Sequence, residues 1–195
     1  MKYLLLFPLL IAFGLVQAQR GSGVLTTEER DVSDFTEIEI SSVVQAKISY
    51  GANYAVTIEA DDNIIGRVET KVWGGRLTVG LDGNSNVEDI TIRATIVLPK
   101  LNAFRASGAA RAEVAGFDQA GEELEIRVSG AASTNFARGR YDRLDVRASG
   151  AAKLDADDLK VNEIKIEAAG ASRVRYGQAQ SGSVERSGAA SVREG

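Results

Sequence analysis

The sequence predicts an all-β solenoid, and three observations carry that expectation. One unit recurs: Leu124 to Ala132, Leu144 to Ala152 and Ile164 to Ser172 are copies of a single design, read as LEIRVSGAA, LDVRASGAA and IKIEAAGAS. A weaker copy runs from Phe104 to Ala110 and a shortened one from Val184 to Ala190. The motif glycines Gly108, Gly130, Gly150, Gly170 and Gly188 are spaced by 22, 20, 20 and 18 residues. Such a period marks units that stack and bury their apolar faces on one another. Within each copy apolar and polar residues alternate, the period of a strand. Beyond the first 18 residues, no stretch repeats apolar residues at helical spacing over about ten residues.

Taken in order, residues 1–18 read as a secretory signal. Lys2 is the positive start, Leu4 to Val16 the apolar run, and Val16-Gln17-Ala18 the small-residue pattern, with cleavage expected after Ala18. The run is short for a membrane span, and no Cys stands near the cut to carry a lipid. Location is therefore expected to be periplasmic, at the outer surface, or secreted. Residues 19–30 are polar around Gly21-Ser22-Gly23 and are expected to be a flexible leader. The domain is expected to span 31–195.

Its N-terminal half is β but less regular. Ile38 to Ile40, Val44 to Tyr50 and Tyr54 to Ala60 alternate, with Gly51-Ala52-Asn53 as a hairpin or corner. Ile64 to Val72 fits a strand or one short helical turn. Trp73-Gly74-Gly75-Arg76 is a reversal, Asp82 to Asn86 a loop, and Val87 to Leu98 one long strand stopped by Pro99. This half caps the stack or holds antiparallel hairpins.

After Pro99 each coil of about 20 residues offers two short strands around a Gly-Ala corner. Four and two residues before the glycine stand Phe104/Ala106, Ile126/Val128, Val146/Ala148 and Ile166/Ala168. Four and six after it stand Ala112/Val114, Thr134/Phe136, Leu154/Ala156 and Val174/Tyr176. Residues two apart share a strand face, so both sets can point inward. Glycine at the corner permits a positive φ. The alanines after it fit either close approach between coils or plain small-residue filling.

Composition limits the chemistry. No Cys means no disulfide, thiolate nucleophile or thiolate metal site, and no His removes the commonest general base and zinc ligand. Formal charge is −4, or −5 once Lys2 is lost, which argues against nucleic acid as a partner. Ser107, Ser129, Ser149 and Ser187 recur without a base, so a structural role is expected over nucleophilic work. Asp155-Ala156-Asp157-Asp158 lacks the spacing of a calcium loop and reads as a solvated acidic turn. Trp73 and Tyr141 could stack on sugars, with a core or corner role favoured for each. No catalytic, cofactor-binding or metal-binding residue is assigned, and no cofactor is expected.

One column of charge stands out. Three residues before the glycines lie Arg105, Arg127, Arg147, Glu167 and Glu185, and five before lie Glu125, Asp145 and Lys165. Two readings stay open: a solvated, charge-meshed face, or a binding stripe of Arg105, Arg127 and Arg147 for an acidic glycan or surface polymer.

The segments FTEIEI (35–40), IEADDNII (58–65), GRLTV (75–79) and IVLPKL (96–101), followed by the Ser-Gly-Ala-Ala units, resemble the putative auto-transporter adhesin, head GIN domain family, a domain of unknown function in secreted proteins of Bacteroidetes-type bacteria. The resemblance covers roughly residues 31 to 195. It implies a right-handed parallel β-helix-like fold and an exported location, and it carries over no functional residue. The expected function is a non-enzymatic surface or periplasmic binding or adhesion module. A polysaccharide-active β-helix enzyme and a ligand-free envelope scaffold are the alternatives. The expected partners are a glycan or cell-surface polymer, and a second copy at the C-terminal strand edge.

Overall fold

The computed structural model describes residues 19–83 and 87–195. The expected signal segment, 1–18, lies outside the described residues, as do three residues of the 82–86 loop. Among the described residues there is no α-helix, only a 3-10 turn at Ile65–Arg67. The chain is all-β, and its main sheet is strongly curled into an open half-barrel.

The N-terminal half contains β1 (Gln19–Arg20), β2 (Leu25–Glu29), β3 (Glu37–Ile40), β4 (Gln45–Tyr50), β5 (Ala55–Asp61), β6 (Val68–Trp73), β7 (Arg76–Leu81), β8 (Val87–Glu88) and β9 (Ile92–Leu98). The repeat half contains β10 (Ala103–Ala106), β11 (Arg111–Val128), β12 (Ser133–Ala148), β13 (Lys153–Ala156), β14 (Leu159–Ala168), β15 (Arg173–Tyr176), β16 (Ala179–Arg186) and β17 (Ser191–Glu194). β1 and β8 form a separate two-stranded sheet.

The repeats pair in parallel and in register. Ile126 lies opposite Val146, and Val146 opposite Ile166; on the far side of the corner Thr134 lies opposite Leu154, and Leu154 opposite Val174. Neighbouring strands are about 4.8 Å apart, so each inward side chain covers the one before it. Phe104, Ile126, Val146, Ile166 and Leu154 are buried as a result. Each such burial contributes roughly 1.5–3 kcal/mol. Phe104 and Phe136 meet edge to face across the core at 5.5 Å, where the alanine positions leave room.

The N-terminal strands extend the same stack. β3 pairs with β10 and β7, and β4 with β11 and β9, all in parallel. Antiparallel partners then close that end: β6 on β7, and β5 on β9 with β2 outside it. Both roles expected of this half are present, capping and hairpins.

Four local expectations change. The strands on either side of each corner stay separate, but the strand after one corner and the strand before the next are joined in β11 and β12, which run on through a bend instead of ending. The bend falls at Gly116 (φ 86°) and, one coil later, at Arg138 (φ 55°). The strand expected over 87–98 breaks at Asp89 (φ 50°), which separates β8, paired with β1, from β9, paired with β4 and β5. Ile64 to Val72 holds both expected structures in succession, the 3-10 turn and then β6. Residues 25–29 of the expected flexible leader form β2 against β5. The physical reason is Asp61, 2% exposed, whose carboxylate accepts the Gly23 and Thr91 N–H groups at 2.7 Å each. A buried carboxylate needs such partners, and satisfying it fastens the leader to the sheet.

Candidate functional site

The corners set the geometry of everything outside them. Gly108, Gly130, Gly150, Gly170 and Gly188 all have φ between 69° and 71°. A Cβ on Gly130, Gly150 or Gly170 would sit 2.8 Å from the carbonyl oxygen of the preceding corner glycine. The reason for that approach is a ladder of backbone hydrogen bonds. Ala131, Ala151 and Ala171 each donate N–H to the preceding corner carbonyl at 2.8 Å. The ladder begins at a residue the sequence did not flag. Ser42, with φ 62°, accepts from Ala109 at 2.7 Å. After Gly108, Gly130 and Gly150 the second alanine is buried (Ala110, Ala132, Ala152) and the first is exposed, so the pair divides into core and surface. Ser129 and Ser149 donate backbone N–H to the previous coil at 2.9 Å, a structural part.

The arginine column lies beside these corners. Arg105, Arg127 and Arg147 are aligned by register. Each guanidinium is already engaged by carboxylate. Arg105 bridges Glu37 at 2.9 Å and Glu125 at 3.0 Å, Arg127 pairs with Glu125, and Arg147 reaches Glu167 at 3.3 Å. Burial pushes the Glu37 carboxyl up, but hydrogen bonds from Arg105 and Arg76 outweigh it and hold the group below its ordinary value. The hydrogen bond from Lys165 holds Glu167 low, aided by Arg147 and opposed by some desolvation. Glu37 is the partner that sequence spacing missed: it stands 68 residues from Arg105, and only the β3–β10 register brings them together.

These charges line an open groove of about 660 Å³, with Glu125, Asp145, Glu163, Arg127, Arg143 and Arg147 among its walls. Asp145 Oδ1 is buried there without a hydrogen-bond partner. On the opposite run of strands, Asp155 and Asp157 both grip Arg175, at 2.9 and 2.5 Å. Among the described residues, no group of three or more Asp, Glu, His or Cys is placed to hold a metal ion. Tyr141 is buried, its ring against Gly121, and that burial pushes its hydroxyl pKa up; it is a core residue. Trp73 stands at the β6–β7 hairpin tip, 85% exposed.

No helix among the described residues is long and apolar enough to cross a membrane. No curated protein matches the chain. Three solved structures share the fold at low identity. A crystal structure called a putative adhesin, from Bacteroides fragilis, aligns with TM-score 0.63 and 17% identity, covering 90% of this chain and 99% of its own. A putative adhesin from Parabacteroides distasonis aligns with TM-score 0.51 and 18% identity, covering 92% and 100%. A putative lipid binding protein from the same organism aligns with TM-score 0.51 and 15% identity, covering 91% and 100%. Residues 34–194 match the sequence profile of the putative auto-transporter adhesin, head GIN domain family, and the chain belongs to that family.

Proposed function

We propose that this chain is a non-enzymatic binding or adhesion module, exported through its first 18 residues to the periplasm, the outer surface or the medium. The observation that carries the reading is the register itself. Charged side chains are held in straight columns on a rigid sheet, an arrangement suited to matching a repeating partner. The family's adhesin label agrees with it. In this reading the C-terminal half is a right-handed parallel β-helix-like solenoid, and the column of Arg105, Arg127 and Arg147 belongs to the binding surface as part of its charge mesh. A second copy pairing weakly at the edge strand β17, which ends the sheet path and carries Arg193 and Glu194 as charge guards, is the other partner of the reading.

The polysaccharide-active alternative has one observation in its favour. Glu125 and Asp145 are register neighbours in the groove, and one Asp145 oxygen is free of hydrogen bonds. A glycan array combined with a reducing-end release assay separates the readings. The module retains at least one glycan and cleaves none. Turnover of any polymer replaces the proposal with the enzyme reading, and retention of nothing replaces it with the scaffold reading.

A further inference from the structure

Three cations without a carboxylate partner lie together in a different column. Three residues after each corner glycine stand Arg111, Ser133, Lys153, Arg173 and Ser191, each the register partner of the next. Gln45 precedes them, opposite Arg111. No acid interrupts this column. Arg111, Lys153 and Arg173 are exposed, and among the described residues none of the three makes an ion pair. The contrast with Arg105, Arg127 and Arg147 is direct, since each of those holds a Glu. In the adjacent outward column Asp155 is taken by Arg175, which leaves Glu113 as the acid nearest Arg111. A line of like charges one or two strand spacings apart is self-repelling, and among the described residues no ion pair relieves it.

We propose that this column is a docking rail for a linear anionic polysaccharide lying across the strands; the inference rests on the binding-module reading. Geometry selects a polymer over a small anion, because the cations run in a line about 4.8 Å per strand instead of converging. Chemistry selects the class. The positions of this column and of its neighbour Lys47, Glu113, Asn135, Asp155 and Arg175 carry no aromatic ring on which bases could stack, and no apolar side chain to enter a lipid surface. Exposed Arg and Lys with Ser, Gln and Asn between them suit carboxylate or sulfate groups and sugar hydroxyls. The rail also has a seat at its upper end: a groove of about 550 Å³ lined by Gln45, Lys47, Arg111 and Asn135, in which Arg93 is paired with Glu59 and Glu113 also stands on the wall. It brings Lys47, also without an ion pair among the described residues, beside Arg111.

The test uses the full chain with immobilised polygalacturonate for the carboxylate arm, heparin for the sulfate arm, and neutral dextran and a single-stranded oligonucleotide as comparisons. Wild type is expected to bind one or both anionic glycans, more weakly as salt rises, and to ignore dextran. Arg111→Gln/Lys153→Gln/Arg173→Gln is expected to lose at least about tenfold in affinity, because it removes the unpaired charges that attract the polymer. Arg20→Gln/Lys71→Gln is expected to stay within about twofold, because those charges stand outside the column and are paired with Glu88, Asp89 and Glu69. Lys153→Glu alone, expected to cost several-fold, keeps the test readable if the triple variant misfolds. Equal binding by wild type, the triple variant and Lys153→Glu overturns the rail while leaving the module reading intact. Oligonucleotide binding as tight as glycan binding overturns the polysaccharide assignment. Failure of wild type to bind either anionic glycan at low salt also overturns the rail, and retention of neutral glycans on the array then decides separately whether the module reading survives.

Discussion

Gly150 shows how much one residue decides. Its φ of 71° lies where a side chain is strained, and an added Cβ would meet the Gly130 carbonyl at 2.8 Å. Backbone on the neighbouring coil cannot rotate away as a side chain can. Gly150→Val is therefore expected to lower stability by about 3 kcal/mol or more, read as a fall in the denaturant midpoint at unchanged slope. An unchanged midpoint would remove the corner ladder from the argument. Ser42 is the converse. It holds the same backbone conformation with a side chain, so Ser42→Gly is expected to gain about 0.5–1 kcal/mol after the entropy cost of glycine, measured in the same titration. The five glycines were legible in the sequence because only that residue type repeats there. Ser42 and Arg138 were not, since their left-handed backbone is imposed by neighbouring strands instead of by the residue.

Among the elements, the strand columns were readable and their charge partners only partly so. Alternation with a 20-residue period places Ile126, Val146 and Ile166 one above another, and puts Glu125 and Asp145 near Arg127 and Asp145 and Glu167 near Arg147; the structure selects Glu125 and Glu167. It could not place Glu37 against Arg105, because β3 belongs to a segment without the motif. It could not see that β11 and β12 continue through bends, because Gly116 recurs as Arg138. The Glu37 cluster ties the N-terminal half to the repeat half and has a pH signature. Its folded pKa is lowered from 4.5, so its stabilisation is fully present above that value and is lost as pH falls through the lowered one. Glu37→Gln is expected to cost about 1 kcal/mol at pH 7, discounted for partial exposure, and to flatten the decline in melting temperature between pH 5 and 3. Parallel curves for the two proteins would show that Glu37 is not coupled to folding.

For the whole molecule, the two ends of the stack are built differently. The N-terminal end is closed by antiparallel strands. At the C-terminal end the inward columns change character: Gly182 follows Ile164, Arg186 follows Ala168, and Glu194 follows Tyr176. Charges on positions that are apolar in every earlier coil make a further strand costly to add, a known way of blunting a sheet edge. Replacing them, as Arg186→Val with Glu194→Val, is expected to turn that end adhesive and shift the chain toward dimers or larger species. Light scattering across a concentration series reads this directly, and a variant that stays monomeric would show that the two charges do not limit assembly.

Uniform register has a further consequence, for how such a chain can change length. Because Gly130, Gly150 and Gly170 are interchangeable in geometry, duplicating one 20-residue unit between them would lengthen the body by a single strand spacing of about 4.8 Å. Neither terminus would notice. Gene duplication could in this way set the reach of the molecule in fixed increments, like adding links to a measuring chain, with the closing link always the one that carries Arg186 and Glu194.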